Sequence, residues 1–401
     1  VSGELPADGG RSGSGQAGSD QKAPSSAGRG AENEDPAEHG TADGGKRSLA
    51  DSWAAFCDAL SDAGRLIEER SGDDLERAEG YRFLARLARG GLYSSLEAGN
   101  ARFPVVAGLP DMVKIGSDNP DGLYQTAPID GRLRYRVSGT RGTVHYLSFS
   151  ALAGNYGAGQ DRLGVMGFLD GGDLLVDEQG RIEIHIGPTP SGDNWLPTRG
   201  EPGTLAVRQF FRDRSAEAPA RLSIECLDHS DPPEPLTPQS VHKALERAAA
   251  FVAGCSTLFA DWVDDLLSRA VNALTTAAGP AQGAWGDPNQ IFRHGAYLLE
   301  DDEALVIEFT PPDCYYWNFQ VDNRWMESLD YRFLPVTVNS HSAHFEADGS
   351  VRIVVAHRDP GVANWMTTDG HRRGAIGLRW NQATTDVEPQ VRVVAIDELR
   401  P

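Results

Sequence analysis

A chain of 401 residues is too long for one small core, so two or three domains are expected. A formal net charge of -21 gives a surface that repels phosphate backbones, which argues against nucleic-acid partners and anionic membrane surfaces. No run of about 18 apolar residues appears, so no membrane span is expected.

Residues 1–47 are mostly Gly, Ser, Ala, Asp and Glu. Ordering costs about 1–2 kcal/mol per residue, which so little apolar surface cannot offset, so a disordered acidic tail is expected. The tail has no apolar core of the signal-peptide kind, and the four cysteines (Cys57, Cys226, Cys255 and Cys314) make no CxxC pair. Reduced thiols in a cytoplasm are the simplest reading.

Residues 48–98 read as a helical hairpin. Trp53, Phe56, Leu60 and Ile67 recur at helical spacing, with Asp51 or Ser52 available as N-cap. Ser71-Gly72 turns the chain into a second helix, about Asp73 to Leu96. Over residues 113–230 the period falls to two, predicting a first β-sandwich module. Leu133, Tyr135 and Val137 alternate with Arg132, Arg134 and Arg136, and Gly139 to Gly142 turns the chain into Val144–Phe149. Further strands are expected at Leu174–Val176, Arg181–Ile186, Leu205–Phe211 and Arg221–Leu227.

Residues 237–278 read as a helical insert that starts on Thr237-Pro238 and continues to about Leu274. A single helix of that length spans about 60 Å, so a break near Gly254 is expected. Residues 296–397 read as a second β-sandwich module. Its strands are Leu305–Phe309, Tyr315–Val321, Leu334–Val338, Val351–Ala356, Ala375–Trp380 and Gln390–Ala395.

The modules share an order of parts. Gln179-Gly-Arg-Ile-Glu-Ile-His-Ile186 aligns with Asp348-Gly-Ser-Val-Arg-Ile-Val-Val355. Each run then reaches an Asn-Trp pair, Asn194-Trp195 and Asn364-Trp365, and another strand. An internal duplication is inferred. The Asn suits a turn with positive φ or a side-chain cap, and the Trp a lid over one end of the sandwich. The fold class is therefore mainly β with helical additions (α+β): two tandem, duplicated sandwich or jelly-roll-like modules, a helical hairpin and a helical insert.

Tyr316-Trp-Asn-Phe319, Asp348-Gly-Ser-Val-Arg-Ile353, Asp359-Pro360, Asn364-Trp365 and Leu378-Arg-Trp380 carry a resemblance. From Cys314 through Trp380 the chain resembles the domain of unknown function 1214. The stretch with Asp118-Asn-Pro-Asp121, Tyr124, Ala127, Ile129-Asp-Gly-Arg132 and Arg141-Gly-Thr143 is similar to the actinobacterial long form of that family, related to the 1254/1214 two-domain proteins. The resemblance implies a β-rich bacterial protein in a cytoplasmic or envelope setting. It implies no catalytic residues. Family members commonly read Asn-Trp-Leu-Pro, as the first module does, whereas the second reads Asn364-Trp-Met-Thr367.

No phosphate-binding GxxxxGK[ST], GxSxG elbow, HExxH or cysteine metal cluster occurs, so neither metal nor cofactor is expected. His341 and His344, with His357 or His371, could form a metal set, but surface histidines are the preferred reading. The segment Val321 to Tyr331 is dense in acids, amides and aromatics. Asp322, Glu327 and Asp330 there, like Asp118, Asp121 and Asp130 in the first module, could pair as acid and base or as salt-bridged loops. On Tyr315 to Val321 the odd residues face a core and Asn318 and Gln320 a cleft. His294 lies between insert and second module, where ligands favour crevices.

The functional expectation is a hydrolase or lyase acting on a small polar or amphipathic metabolite, in a crevice between the helices and the second module. Glu327 or Asp330 with His341 would be acid and base. Asn318, Asp322, Asn323, Trp325, Asn339 and His294 would bind substrate. The alternative is a non-catalytic carbohydrate- or ligand-binding accessory protein. The partner is a small molecule or glycan, with a homo-oligomer allowed.

Overall fold

Helices form where apolar spacing and capping agree. The computed structural model describes residues 48–109, 112–154, 156–158, 163–229, 231–276 and 286–399. The expected tail, 1–47, lies outside them. Helix α1 (Leu49–Arg70) opens on a capping box in which Ser48 and Asp51 satisfy each other's backbone N–H. Ser48, not Asp51 or Ser52, is therefore the cap. Helix α2 (Asp74–Leu92) is capped by Asp73 and passes into a π turn over Tyr93–Glu97. Helix α3 (Pro238–Arg269) starts on Thr237 with Pro238 in its first turn.

Two expectations for α3 are corrected. It stops at Arg269, short of Leu274, and it runs unbroken through Gly254. That glycine is a point of close approach, because a Cβ there would overlap the carbonyl oxygen of Tyr156.

The first β module has strands β1 (Ala107–Gly108), β2 (Gly122–Asp130), β3 (Tyr135–Thr140), β4 (Tyr146–Ala153) and β5 (Gly164–Asp170). It continues through β6 (Arg181–Gly187), β7 (Trp195–Pro197), β8 (Pro202–Phe210) and β9 (Arg221–Cys226). The second has β10 (Thr275–Thr276), β11 (Gln290–Leu298), β12 (Glu303–Phe309), β13 (Tyr316–Asp322) and β14 (Thr337–Asn339). It ends with β15 (Val351–Ala356), β16 (Trp365–Thr367), β17 (Arg373–Asn381) and β18 (Gln390–Ala395).

Strand order establishes the duplication. The first module pairs its strands as β1-β2-β8-β4-β5 and β7-β6-β3-β9. The second pairs β10-β11-β17-β13-β14 and β16-β15-β12-β18, the same order with each strand nine places later. Val137, Phe149, Ile184 and Val207 fill the first sandwich; Ile307, Trp317, Phe319 and Leu378 fill the second.

The Asn-Trp pairs are equivalent in atomic detail. Asn194 Nδ2 donates to the carbonyls of Leu175 and Glu183, and its Oδ1 accepts from Leu175 N–H. Asn364 makes the same bonds to His344 and Arg352. Each following Trp donates Nε1–H to the strand beside it, at Gly187 or Ala356. Trp365 covers the outer face of its sheet, among Val306, Val354 and Ile396, rather than an open sandwich end.

Three long strands, β2, β5 and β11, and the short β1, β7, β10 and β16 escape sequence reading, and Leu174–Val176 is loop rather than strand. On the long strands the face away from the sandwich core also carries apolar residues, such as Tyr124, Val165 and Phe292, so apolar residues do not alternate cleanly with polar ones. The helices form a third core, in which Ile67, Phe83, Val252 and Phe259 pack with Trp325 and Met326 of the second module. Trp53, which shares the helical spacing of Phe56 and Ile67, remains 55% exposed.

Gly254→Ala reverses the usual rule for helices. Ala is the better helix former by about 1 kcal/mol, yet contact with Tyr156 should make the variant less stable by about 1–3 kcal/mol. Denaturant unfolding measures this, and a stabilised variant contradicts the packing described.

Candidate functional site

The modules are joined by straps. The segment leading into β2 lies on the second module. Lys114 Nζ donates to Ser328 Oγ at 2.9 Å and to the carbonyls of Ser328 and Leu329. Asp118 accepts from Ser328 N–H at 3.0 Å and from its hydroxyl at 2.8 Å. Asn119 Oδ1 accepts from Asn318 at 3.0 Å. Asp121 accepts from the Tyr316 hydroxyl at 2.6 Å and from Asn339 at 3.0 Å.

The second module returns the arrangement. Asp287, leading into β11, accepts from the Tyr146 hydroxyl at 3.0 Å and from Ser148 at 2.7 Å on β4. Tyr146 and Tyr316 open equivalent strands, and Ser148 and Asn318 follow two residues later. Phe210 lies between the tyrosines, with ring centroids 5.4 and 6.1 Å away.

The outer sheet faces and α3 line an open cavity of about 1130 Å³. That is ample for a metabolite. Thr126, Val165 and Arg208 come from the first module, Phe259 and Trp262 from α3, and Phe292, His294 and Arg379 from the second.

Arg379 is buried on central strand β17, between Phe292 of β11 and Asn318 of β13. Its guanidinium donates to Gln320 Oε1, to the Ser117 carbonyl at 2.5 Å and to Ser117 Oγ at 3.1 Å. Among the described residues no carboxylate lies within ion-pair distance of it, although Asp118, Asp121 and Asp322 act on it from farther away. His294 is also buried, edge-on to Trp262 and stacked on Phe292, and its Nδ1 has no hydrogen-bond partner. Burial, helped by Arg379 and Arg269, pushes its imidazole down to about 3, so it stays neutral.

A crystal structure of an uncharacterized protein from Burkholderia cenocepacia is 44% identical, covers 87% of this chain and 98% of its own, and superposes with a TM-score of 0.84. The chain belongs to the family of that protein. A structure from Vibrio parahaemolyticus is 12% identical over 84% of this chain and 100% of its own, with a TM-score of 0.45. Salicylate 1,2-dioxygenase from Pseudoaminobacter salicylatoxidans is 11% identical over 79% of this chain and 84% of its own, with a TM-score of 0.20. Scores this low carry no argument. No family model matches the chain, and no curated protein does.

Of the site residues expected from sequence, His294 alone lines this cavity. Asn318 and Asn339 hold the first module's strap. Asn323, Trp325 and Glu327 clamp α2 to the second module. Trp325 is closed to solvent, stacks on Phe83 and donates to the Glu76 carbonyl at 2.8 Å. Asn323 bonds Glu79 and Glu327, and Glu327 accepts from Arg86 at 2.7 Å. Burial raises the Glu327 carboxyl, which Arg86 offsets only in part.

Asp330 pairs with Arg332 at 2.7 Å, which holds its carboxyl down to about 2. It borders a smaller hollow of about 510 Å³ beside α2. His341 is half exposed and 3.9 Å from Asp213. Glu327, Asp330 and His341 thus have separate partners and share no described cavity wall. Tyr315 also departs from its expected core position: it is exposed, stacked on His145.

Among the described residues no group of three or more His, Cys, Asp or Glu side chains could hold a metal ion. His357 contacts Thr368, and His371 sits between the Thr368 carbonyl at 2.7 Å and Glu79 at 2.6 Å. Both ring nitrogens of His371 face acceptors, an arrangement that favours the imidazolium. Burial works against its charge, but Glu79 and the Thr368 carbonyl raise it overall. Arg132, Arg134 and Arg136 pair with Asp130, Asp228 and Glu225, not with an anion site. Sequence reasoning missed Arg208 and Arg379. Aligning Leu205-Ala-Val-Arg208 with Ile376-Gly-Leu-Arg379 puts them at one position of the repeat.

Asp322 offers a pH test. Its Oδ2 is buried without a partner, and burial, with Asp118 adding, pushes the carboxyl up to about 6. The folded state keeps this proton to higher pH than an unfolded chain, so stability falls as pH rises through about 6. Asp322→Asn should leave stability unchanged near pH 4 and raise it by roughly 1–3 kcal/mol near pH 8. Chemical unfolding at both pH values checks this; an equal effect at the two contradicts it.

Proposed function

We propose that the protein binds a small amphipathic organic acid in the large cavity, with the acid group on Arg379 and the apolar body among Phe259, Trp262 and Phe292. The carrying observation is the guanidinium itself. A buried cation held by neutral acceptors is incompletely compensated, and a ligand carboxylate would match its fork geometry. The unpartnered Nδ1 of neutral His294 offers a second polar contact. Mixed apolar and sparse polar walls suit such a ligand better than a sugar, for which exposed aromatic faces would be wanted.

A hydrolase or lyase reading of the same cavity has one observation in its favour: His294 carries a free ring nitrogen. A base held down to about 3 is weak at neutral pH, so binding stands first. The likeness of the second module to the 1214 domain, a cytoplasmic setting and a small-molecule partner belong to this proposal as well.

Thermal shift and calorimetric titration with a panel of aliphatic and aromatic carboxylates test the reading. At least one acid should raise the melting temperature of the wild type. Arg379→Gln should weaken its binding by about 10- to 100-fold, the worth of a charge-assisted hydrogen bond. Equal affinity in the two proteins would remove Arg379 from the site.

A further inference from the structure

We infer that the ligand is an acid unbranched beside its carboxylate, and that Gly377 makes the seat for that carboxylate. This rests on the proposed binding of an organic acid in the cavity.

Gly377 lies inside β17, between His294 of β11 and Gln320 of β13. Glycine weakens a strand interior, so it is kept where the backbone conformation or a close neighbour demands it, or where a ligand approaches. Nearby strand glycines answer to close neighbours. A Cβ at Gly295 would lie 1.7 Å from the carbonyl oxygen of Ala273, and one at Gly374 would lie 2.3 Å from that of Asp322. Neither demand applies at Gly377. Its φ is outside the left-handed region, and a Cβ there would find nothing closer than Ser117 Oγ at 3.5 Å, His294 Cδ2 at 3.6 Å and Arg379 Nη1 at 3.7 Å. These are ordinary contact distances. The missing side chain therefore leaves a gap the size of one methyl group, walled by three residues that line the cavity.

The repeat shows that the sheet does not need this gap. The equivalent residue of the first module is Ala206, flanked by Thr126 and Ser150 in place of His294 and Gln320. The position is open in the copy that carries His294 and filled in the other.

The walls are held in place. Ser117 Oγ accepts from Arg379 at 3.1 Å and from Gln320 at 3.2 Å, and Ser117 N–H donates to the Met326 carbonyl at 2.7 Å. Among the described residues Arg379 Nη1 donates once, to Gln320 Oε1, and a guanidinium amino nitrogen carries two hydrogens. A carboxylate oxygen in the gap would take the second. An oxygen needs no more room than a methyl group. A branched α-carbon behind it would press on Ser117 and Arg379, which have no freedom to retreat.

The experiment is a calorimetric titration of the full chain with straight-chain carboxylates and their 2,2-dimethyl analogues. Wild type should bind a straight acid at least about tenfold tighter than its branched analogue, the effect of overfilling a closed space. Gly377→Ala should weaken the straight acid by about tenfold or more for the same reason. Alanine fits the gap when no ligand is there, so this variant should keep the wild-type unfolding midpoint. Branched acids that bind as tightly as straight ones overturn the inference. So does Gly377→Ala with wild-type affinity. In either case weaker binding by Arg379→Gln leaves the acid-binding proposal standing. If no acid binds the wild type, that proposal falls and this inference falls with it. The wild-type comparison decides the matter even where a variant does not fold.

Discussion

Each β module of this protein holds a carboxylate that belongs to the other. Asp121 of the first module is bound by Tyr316 of the second, and Asp287 of the second by Tyr146 of the first. A buried carboxylate without partners is strongly unfavourable, so each acid fixes its position through the hydroxyls and amides it finds across the junction. The exchange is specific because the partners are specific. Sliding one module by a residue would leave both acids unsatisfied in a dry interface.

The helices depend on the same frame. Glu76 takes a two-pronged ion pair from Arg373, Glu79 holds His371, Arg86 meets Glu327, and Asp264 meets Arg324. All four pairs bind helical residues to the second module. Gly80 allows the closest approach, since a Cβ there would press on Ile67 and Trp325. With α3 so placed, its aromatic residues close the space between the outward sheets. The cavity is thus a result of the duplication: two similar faces, turned together, with a helical wall on one side.

Much of the fold was legible. Alternation in Leu133–Val137 and Arg181–Ile186 marks strands with one wet face. The recurring Asn-Trp pair marks the repeat, because the Asn side chain makes local bonds that any copy of the loop needs. Strands such as Gly122–Asp130 and Gln290–Leu298 were hidden because the face away from the sandwich core lines the cavity, where apolar and polar residues mix. The site was mostly hidden for a related reason. Asn318, Asn323 and Glu327 were conspicuous as polar residues in an apolar stretch, which is what a buried structural junction requires as well as what a ligand requires. Their partners, Asn119, Glu79 and Arg86, are roughly 200 or more residues away, and no local pattern announces them. The arginines could have been found by aligning the copies, since they keep one position while their neighbours change.

The central claim is that the straps make the two modules and the cavity one cooperative structure. Native-state hydrogen exchange on Asp287→Ala tests it most directly, because that side chain belongs to the second module while its bonds are made to the first. The account predicts faster exchange in β4 and β8 of the first module together with β11 and β17 of the second, rising as one unit. Faster exchange confined to the few residues around position 287, with both sheets as protected as before, would contradict it.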